Sequence, residues 1–361
     1  MKDYQTWGER LFPPPIKGKA AKSVGMRGSK GRTQNKAMSK PTLSAEQRSK
    51  RVQDLAKKLV KKAPEVMVKI TGNSKSTAKI SAHLDYISRD GAVELETEDG
   101  MILSDKESIR AIMDEWADAG DIPKHENQSS RREAFNIVLS MPANTDRDAV
   151  KNAARAFAQQ TFEGHEWFMA EHRDEAHPHV HFCVKASDNL GHRLNPRKAD
   201  LQQWRETFAE KLQEHGIEAN ATRRQVRGKN YRPKTQAQYH SDKRKRPLKH
   251  EQTRRTHAVQ EIETGIKMVE HPALIKAKQT RQEVIQNMAH FAKASMTQGD
   301  KQTAVGLAIH ARDLPPVQSK HEARVKALLR AKSEGNERQQ HEPTKTPQTG
   351  IKPSPTKGAE R

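Results

Sequence analysis

An α+β fold, with a central antiparallel sheet flanked by helices and basic extensions at both ends, is predicted by three observations. Between residues 63 and 222 the chain alternates in the order strand, helix, strand, helix, hairpin, which suits helices layered on an antiparallel sheet. Charge divides the chain in three: Lys+Arg against Asp+Glu is 17 to 4 over residues 1–62, 19 to 28 over 63–222 and 30 to 13 over 223–361. Finally, 33% hydrophobic and 4% aromatic content is too little to spread one core through 361 residues. The expected division is a basic arm and helix over 1–62, a folded catalytic-type domain over 63–228 and a basic, helical to disordered extension over 229–361.

Each element has its own signal. Residues 1–42 are rich in Lys, Gly, Ser and Pro and contain Pro13-Pro14-Pro15, so they read as a disordered arm. Val52, Leu55, Ala56 and Leu59 at helical spacing predict a helix over 44–62, ended by Ala63-Pro64. Val66 to Ile70 reads as the first strand, Thr71 to Ser74 as a turn, and Ser76 to Ser88 as a helix with Ile80, Leu84 and Ile87 on one face. An acidic helix near 108–119 precedes the strand Phe135 to Ser140. Met141-Pro142-Ala143-Asn144-Thr145-Asp146 closes that strand and caps a helix over 147–162. Glu166 to Ala170 and the run after Pro178 read as a hairpin turning at Arg173 to Ala176. A helix over 200–215 buries Leu201, Trp204, Phe208 and Leu212 and stops at Gly216. Beyond Ala221 the pattern weakens: 223–250 is strongly basic, 251–333 has scattered helical patterning, and the last thirty residues are polar.

The hairpin carries the chemistry. It reads His172-Arg173-Asp174-Glu175-Ala176-His177-Pro178-His179-Val180-His181. Residues two apart on a strand share a face, so His179 and His181 project together, and His172 at the end of the first strand folds back beside them. Three converging neutral imidazoles, with Asp174 near enough to fix a ring tautomer, make a divalent-metal site with coordination positions left for a substrate oxygen. Magnesium or manganese suits phosphate chemistry and zinc suits the imidazoles, so the metal stays open among them.

Basic arms around an acidic folded segment give sequence-independent grip on a polyanion through counterion release, which makes nucleic acid the expected partner. No stretch approaches the roughly 18 apolar residues of a spanning helix and the first residues lack an apolar signal region, so no membrane insertion and a cytoplasmic location are expected. Cys183, alone of its type, sits between Phe182 and Val184 and reads as core packing. A three-histidine metal beside bound nucleic acid points to phosphodiester cleavage, by water or by a side chain. Tyr86, the one tyrosine of the folded segment, lies on the helix after the first strand. A phenol nucleophile would keep the energy of the broken strand in a phosphodiester that can be rejoined.

The tyrosine helix Ser81-Ala82-His83-Leu84-Asp85-Tyr86-Ile87-Ser88-Arg89, the segment Leu139-Ser140-Met141-Pro142 and the histidine run occur in the order seen in conjugative relaxases of the mobilisation nuclease family. The resemblance, over about residues 64–228, is especially to the relaxase of T-DNA transfer, within the HUH endonuclease superfamily. It implies that Tyr86 attacks a phosphate at the nick site of a transfer origin, leaving a 5′-phosphotyrosine link and a free 3′-hydroxyl. It implies metal binding by His172, His179 and His181, and an Asp174 that orients a histidine or helps accept the tyrosine proton. DNA contacts fall to Ser140, Arg89, Arg223, Arg224 and Arg227, while the role of His177 stays open, with capping the turn as one reading. It further implies single-stranded DNA as substrate, a relaxosome accessory protein and a type IV coupling protein as partners, and carriage with the strand into a recipient cell.

Two rival functions remain open at the level of sequence. A rolling-circle replication initiator shares the histidine pair and tyrosine chemistry, but there the tyrosine typically follows the histidines, whereas Tyr86 precedes them. A non-catalytic relaxosome accessory protein with structural zinc would bind DNA without cutting it.

Overall fold

A computed structural model describes residues 2–13, 44–118, 122–124, 131–229, 236–244 and 249–340. In chain order the elements are α1 (Lys2–Leu11), α2 (Ala45–Val60), β1 (Met67–Ser74), α3 (Thr77–Ile87), β2 (Leu95–Thr97), β3 (Ile102–Leu103), α4 (Lys106–Asp118), β4 (Ala134–Ser140), α5 (Arg147–Thr161), β5 (Trp167–His172), β6 (His179–Lys185), α6 (Lys198–Glu214), α7 (Gln236–Lys243), α8 (Lys249–Thr264), α9 (Pro272–Thr297), α10 (Lys301–Arg312) and α11 (Lys320–Gln340). The strands form one sheet in the order β1-β4-β6-β5-β2-β3, antiparallel at every pairing, with helices against it. This is the α+β architecture expected from the sequence.

Period-2 alternation sorts the central strands into two faces. Phe135, Ile137 and Leu139 of β4, Trp167 and Met169 of β5, and Val180, Phe182 and Val184 of β6 are buried in one core with residues of α5 and α6, including Phe157 and Phe208. On the opposite face Ala134, Phe168, Ala170 and Cys183 meet Ile80, Leu84 and Ile87 of α3 and Met113 and Trp116 of α4. The Cys183 thiol is wholly buried there, and burial pushes its pKa up to about 12. It is therefore an inert packing group. Phe182 is fully buried on the face away from the histidines. Phe182→Ala is expected to cost ~3–5 kcal/mol of stability through lost burial and the cavity left behind, read as a lower Tm or denaturant midpoint.

Three features went beyond the sequence reading. The stretch Thr71 to Ser74, expected as a turn, continues β1 along β4 through an irregularity between Ile70 and Gly72, and the Thr71 hydroxyl donates to Asn136 O at 3.2 Å. A glycine and small polar residues thus mark a bulged edge strand here rather than a reversal. The short β2–β3 hairpin was missed because its sequence is acidic and each strand has two or three residues. Glu96 is nevertheless buried there, paired with Arg155 of α5. At the start of the chain, residues 2–11 are helical and Leu11 and Phe12 are buried, so this part of the expected arm is folded. The remainder of that arm, residues 14–43, lies outside the described residues, as does the polar end 341–361.

A second apolar cluster explains what the basic helix α2 docks against. Its Val52, Ala56 and Leu59 pack with Leu11 and Phe12, with Val284, Met288 and Phe291 of α9, and with Ala304 and Leu307 of α10. Ser44 starts α2 with a capping box, its hydroxyl accepting from Gln47 N while the Gln47 side chain accepts from Ser44 N. Gly306 permits the α10–α2 approach: a Cβ there would stand 2.1 Å from a Val60 methyl. By contact density the described residues of 1–229 and 280–315 form one unit and those of 230–279 and 316–361 another. Within the second, Arg324 pairs with Glu251, and His321 Nε2 lies 2.7 Å from Glu261. No helix of the described residues is long and apolar enough to cross a membrane.

Candidate active site

Strand register builds the centre. Met67 pairs with Ser140, Ser140 with His179, and His179 with His172, so these four residues form one row across β1, β4, β6 and β5. His181, two residues along β6, shares the face of His179 and pairs in register with Ala170. Ring centroids are 5.3 Å apart for His172 and His179, 4.3 Å for His172 and His181, and 5.2 Å for His179 and His181. One ring nitrogen from each lies within 4.8 Å of the others.

Hydrogen bonds decide which nitrogens are available. His172 Nε2 is 2.7 Å from Ile87 O, and a carbonyl only accepts, so Nε2 carries the proton. Its Nδ1 is then the acceptor, and Arg89 Nη2 donates to it at 3.3 Å. By the same reasoning His179 Nδ1 donates to His177 O at 2.9 Å, which leaves the Nε2 lone pair. Burial, reinforced by the neighbouring imidazoles, pushes the His181 pKa down to about 3, and burial also lowers His172. One ring nitrogen from each of the three histidines gathered in this way fits a divalent cation, which at His172 Nδ1 would take the place of the Arg89 N–H. The backbone carbonyl of His177 thus has a use that the sequence reading did not give its residue.

Tyr86 comes from the opposite layer. Ser76 caps α3 through Lys79 N, and the stripe Ile80, Leu84 and Ile87 is buried. Tyr86, one residue before Ile87 and off that stripe, is then carried to the rim, where it is 57% exposed, enough for a substrate to reach it. Its ring centroid stands 6.3 Å from that of His181, edge to face. Sequence separation of the helix and the hairpin is therefore closed in space.

After α3 the chain turns through Arg89 and Asp90, whose φ values of 53° and 58° are left-handed. That conformation costs a non-glycine residue roughly 1–2 kcal/mol. Local bonds offset it: Asp90 N donates to Asp85 O at 2.8 Å, Val93 N to Ser88 O at 2.7 Å, and Lys106 Nζ to Asp90 Oδ1 at 2.8 Å. The turn aims Arg89 at the centre, with Nη2 2.5 Å from Asp174 Oδ2 and Cζ 5.3 Å from the Tyr86 ring centroid. This hydrogen bond holds the Asp174 carboxyl below the usual carboxylate range. The tautomer-fixing part expected of Asp174 is thus taken by two backbone carbonyls, because the guanidinium claims the carboxylate.

The remaining candidates divide. Ser140 lies in the histidine row, buried, with its hydroxyl 3.3 Å from Met141 O. Arg223, Arg224 and Arg227 follow a segment joined to the start of β1 by Val66 N to Asn220 O and Asn220 N to Pro64 O. That is three strand spacings from β6, roughly 14 Å. Arg227 donates to Thr222 O at 3.1 Å and pairs with Glu65 at 3.6 Å, which makes it a strap on the fold. Arg223 is half-buried and Arg224 exposed.

Two residues were missed. Arg147, in the first turn of α5, donates to His172 O at 3.3 Å and Glu175 O at 2.5 Å, clamping the hairpin turn that bears Asp174. Nothing in its sequence context marks it. His83 stacks on Tyr86 with centroids 6.3 Å apart and planes 22° from parallel. Among the described residues its buried Nε2 has no hydrogen-bond partner, and burial lowers its pKa to about 4. The three-residue spacing from Tyr86 on one helix was the available signal.

The match to the relaxase family begins at Tyr86 and runs to residue 217, spanning all three histidines. Residues 86–217 are homologous to the MobA/VirD2-like relaxase nuclease domain. Among curated relatives, the T-DNA border endonuclease VirD2 of Rhizobium radiobacter is 30% identical over 193 residues, 48% of this chain and 46% of its own. VirD2 of Agrobacterium fabrum is 30% identical over 208 residues, 53% of this chain and 45% of its own. The chain thus spans less than half the length of either relative. The histidine centre, which lies within the matched segment, is consistent with the HUH superfamily. β1 and most of α3 precede the matched segment and still complete the sheet and the Tyr86 helix.

Proposed function

We propose that the protein is a DNA relaxase which nicks one strand at a plasmid transfer origin and stays joined to it through Tyr86. The observation that carries this reading is the approach of the Tyr86 ring to His181, at 6.3 Å between centroids. In the proposed step Tyr86 Oη attacks phosphorus in line, the bond to O3′ breaks, and its electron pair leaves on that oxygen. The phenolic proton passes to solvent and the 3′ oxygen gains one from solvent, so the products are a 5′-phosphotyrosine and a 3′-hydroxyl. His172, His179 and His181 would hold a divalent cation, magnesium or manganese by the chemistry of phosphate, which when bound polarises a non-bridging oxygen. Ser140, in the histidine row, is the proposed contact to the nucleotide beside the scissile phosphate. An exposed nucleophile beside half-buried imidazoles requires a strand that is single or locally melted. Residues 63–228 are the proposed nuclease domain, and the relaxosome accessory protein and type IV coupling protein are the proposed partners of the whole.

The test uses the full chain, manganese and a randomised pool of single-stranded oligonucleotides. An SDS-resistant adduct whose attached DNA shares one sequence downstream of the join is expected. Binding of DNA with neither cleavage nor adduct would instead favour the non-catalytic accessory reading. Arg224→Ala should weaken binding of the recovered oligonucleotide across sequences and reduce the slope of log affinity against log salt by about 1, if a phosphate is its partner. An unchanged slope would remove Arg224 from the interface.

A further inference from the structure

Arg89 is the hub of the centre. One guanidinium nitrogen reaches both Asp174 Oδ2, at 2.5 Å, and His172 Nδ1, at 3.3 Å, while its carbon lies 5.3 Å from the Tyr86 ring centroid. Among the hydrogen bonds of the described residues none joins Asp174 to an imidazole; the carbonyls of Ile87 and His177 take the ring protons of His172 and His179. Two consecutive left-handed residues, Arg89 and Asp90, are held in that conformation to place the guanidinium here. We propose that Asp174 is a positioning residue that acts through Arg89, holding the guanidinium where its charge stabilises the phenolate that Tyr86 becomes as its proton leaves.

The inference rests on the nicking reading above and reassigns the acid within it. A carboxylate already accepting from Arg89 is poorly placed to collect the phenolic proton, which goes to solvent. Arg89 neither gives nor takes a proton, because a guanidinium stays charged. It contributes a fixed cation beside the nucleophile, and such preorganised charge is effective where water is partly excluded. The bond changes are those of the proposed nicking step: Oη to phosphorus forms, phosphorus to O3′ breaks, and no co-reactant is needed.

A double-mutant cycle tests this with the full chain, saturating manganese and the oligonucleotide recovered from the random pool. Single-turnover adduct formation should slow ~10²–10³-fold in Arg89→Ala, the loss typical of removing one preorganised electrostatic group. Arg89→Lys should recover part of the rate, keeping the charge without the planar fork. Asp174→Asn should slow the wild type by about tenfold yet change Arg89→Ala by less than about twofold, because the two residues act as a unit. Oligonucleotide affinity, measured in a Tyr86→Phe background, should move much less than the rate. Manganese affinity of Asp174→Asn, by calorimetry, should stay within about threefold, against the ~10–100-fold loss expected if the carboxylate oriented a ligand. Rate effects that multiply in the double variant, or a manganese loss of that size, would overturn the proposal while leaving nicking intact. Absence of any adduct from the manganese-bound wild type would overturn both readings.

Discussion

Tyr86→Phe is expected to abolish the covalent adduct while leaving oligonucleotide affinity within about twofold, the change that a surface substitution within ±0.5 kcal/mol allows. The substitution removes one oxygen and keeps the ring that stacks on His83 and carries the Arg89 contact. Because the side chain is 57% exposed, no core packing is lost and folding should be unaffected. The histidine centre also stays intact, since α3 is anchored by Ile80, Leu84 and Ile87 rather than by the tyrosine. Any water-driven cleavage that remained would release both fragments free of protein. Denaturing gel electrophoresis with labelled oligonucleotide reads the two outcomes separately. An adduct that persists at the wild-type rate would place the nucleophile elsewhere.

The second large effect is expected from His179→Ala combined with His181→Ala. Removing two of three ligands should lower manganese affinity by more than the ~10–100-fold that follows loss of a ligand's hydrogen-bond partner alone. Adduct formation should fall below detection, as it should for the wild type with chelator. Both substitutions leave Val180 and Phe182, the buried residues on the other face of β6, in place. The sheet should therefore survive, as circular dichroism and thermal melting would show. Calorimetry supplies a reading independent of catalysis: if manganese binds the double variant as it binds the wild type, the imidazole cluster is not the metal site.

Much of this site was legible because its signals are short-range. His179 and His181 share a face by the two-residue repeat of a strand, and His172 faces them because Pro178 and the charged turn make a tight hairpin. The sheet order and the approach of α3 are non-local, and no periodicity in the helix reveals which strands Tyr86 will stand over. Arg89 is the clearest case of what a pattern leaves hidden. The resemblance gives Arg89 as a DNA contact, with nothing to show that two left-handed residues turn it onto Asp174. The reach of Arg147 to His172 O is equally invisible, since a side chain to backbone bond across 25 positions leaves no repeat. The α2 packing was hidden for another reason: its partners in α9 and α10 lie more than 200 positions away in sparse apolar patterns. The β2 and β3 strands were lost through brevity and acidity, although burial of Glu96 against Arg155 accounts for an acid in a strand.

For the proposed nick, a phenol from α3 and the imidazole cluster of β5 and β6 must meet at one phosphate. Tandem mass spectrometry of the adduct formed by wild-type protein with manganese tests it most directly. Trypsin should release the peptide spanning residues 80–89, cut after Lys79 and after Arg89, with the nucleotide on Tyr86 within it. A nucleotide carried by any other residue would contradict it.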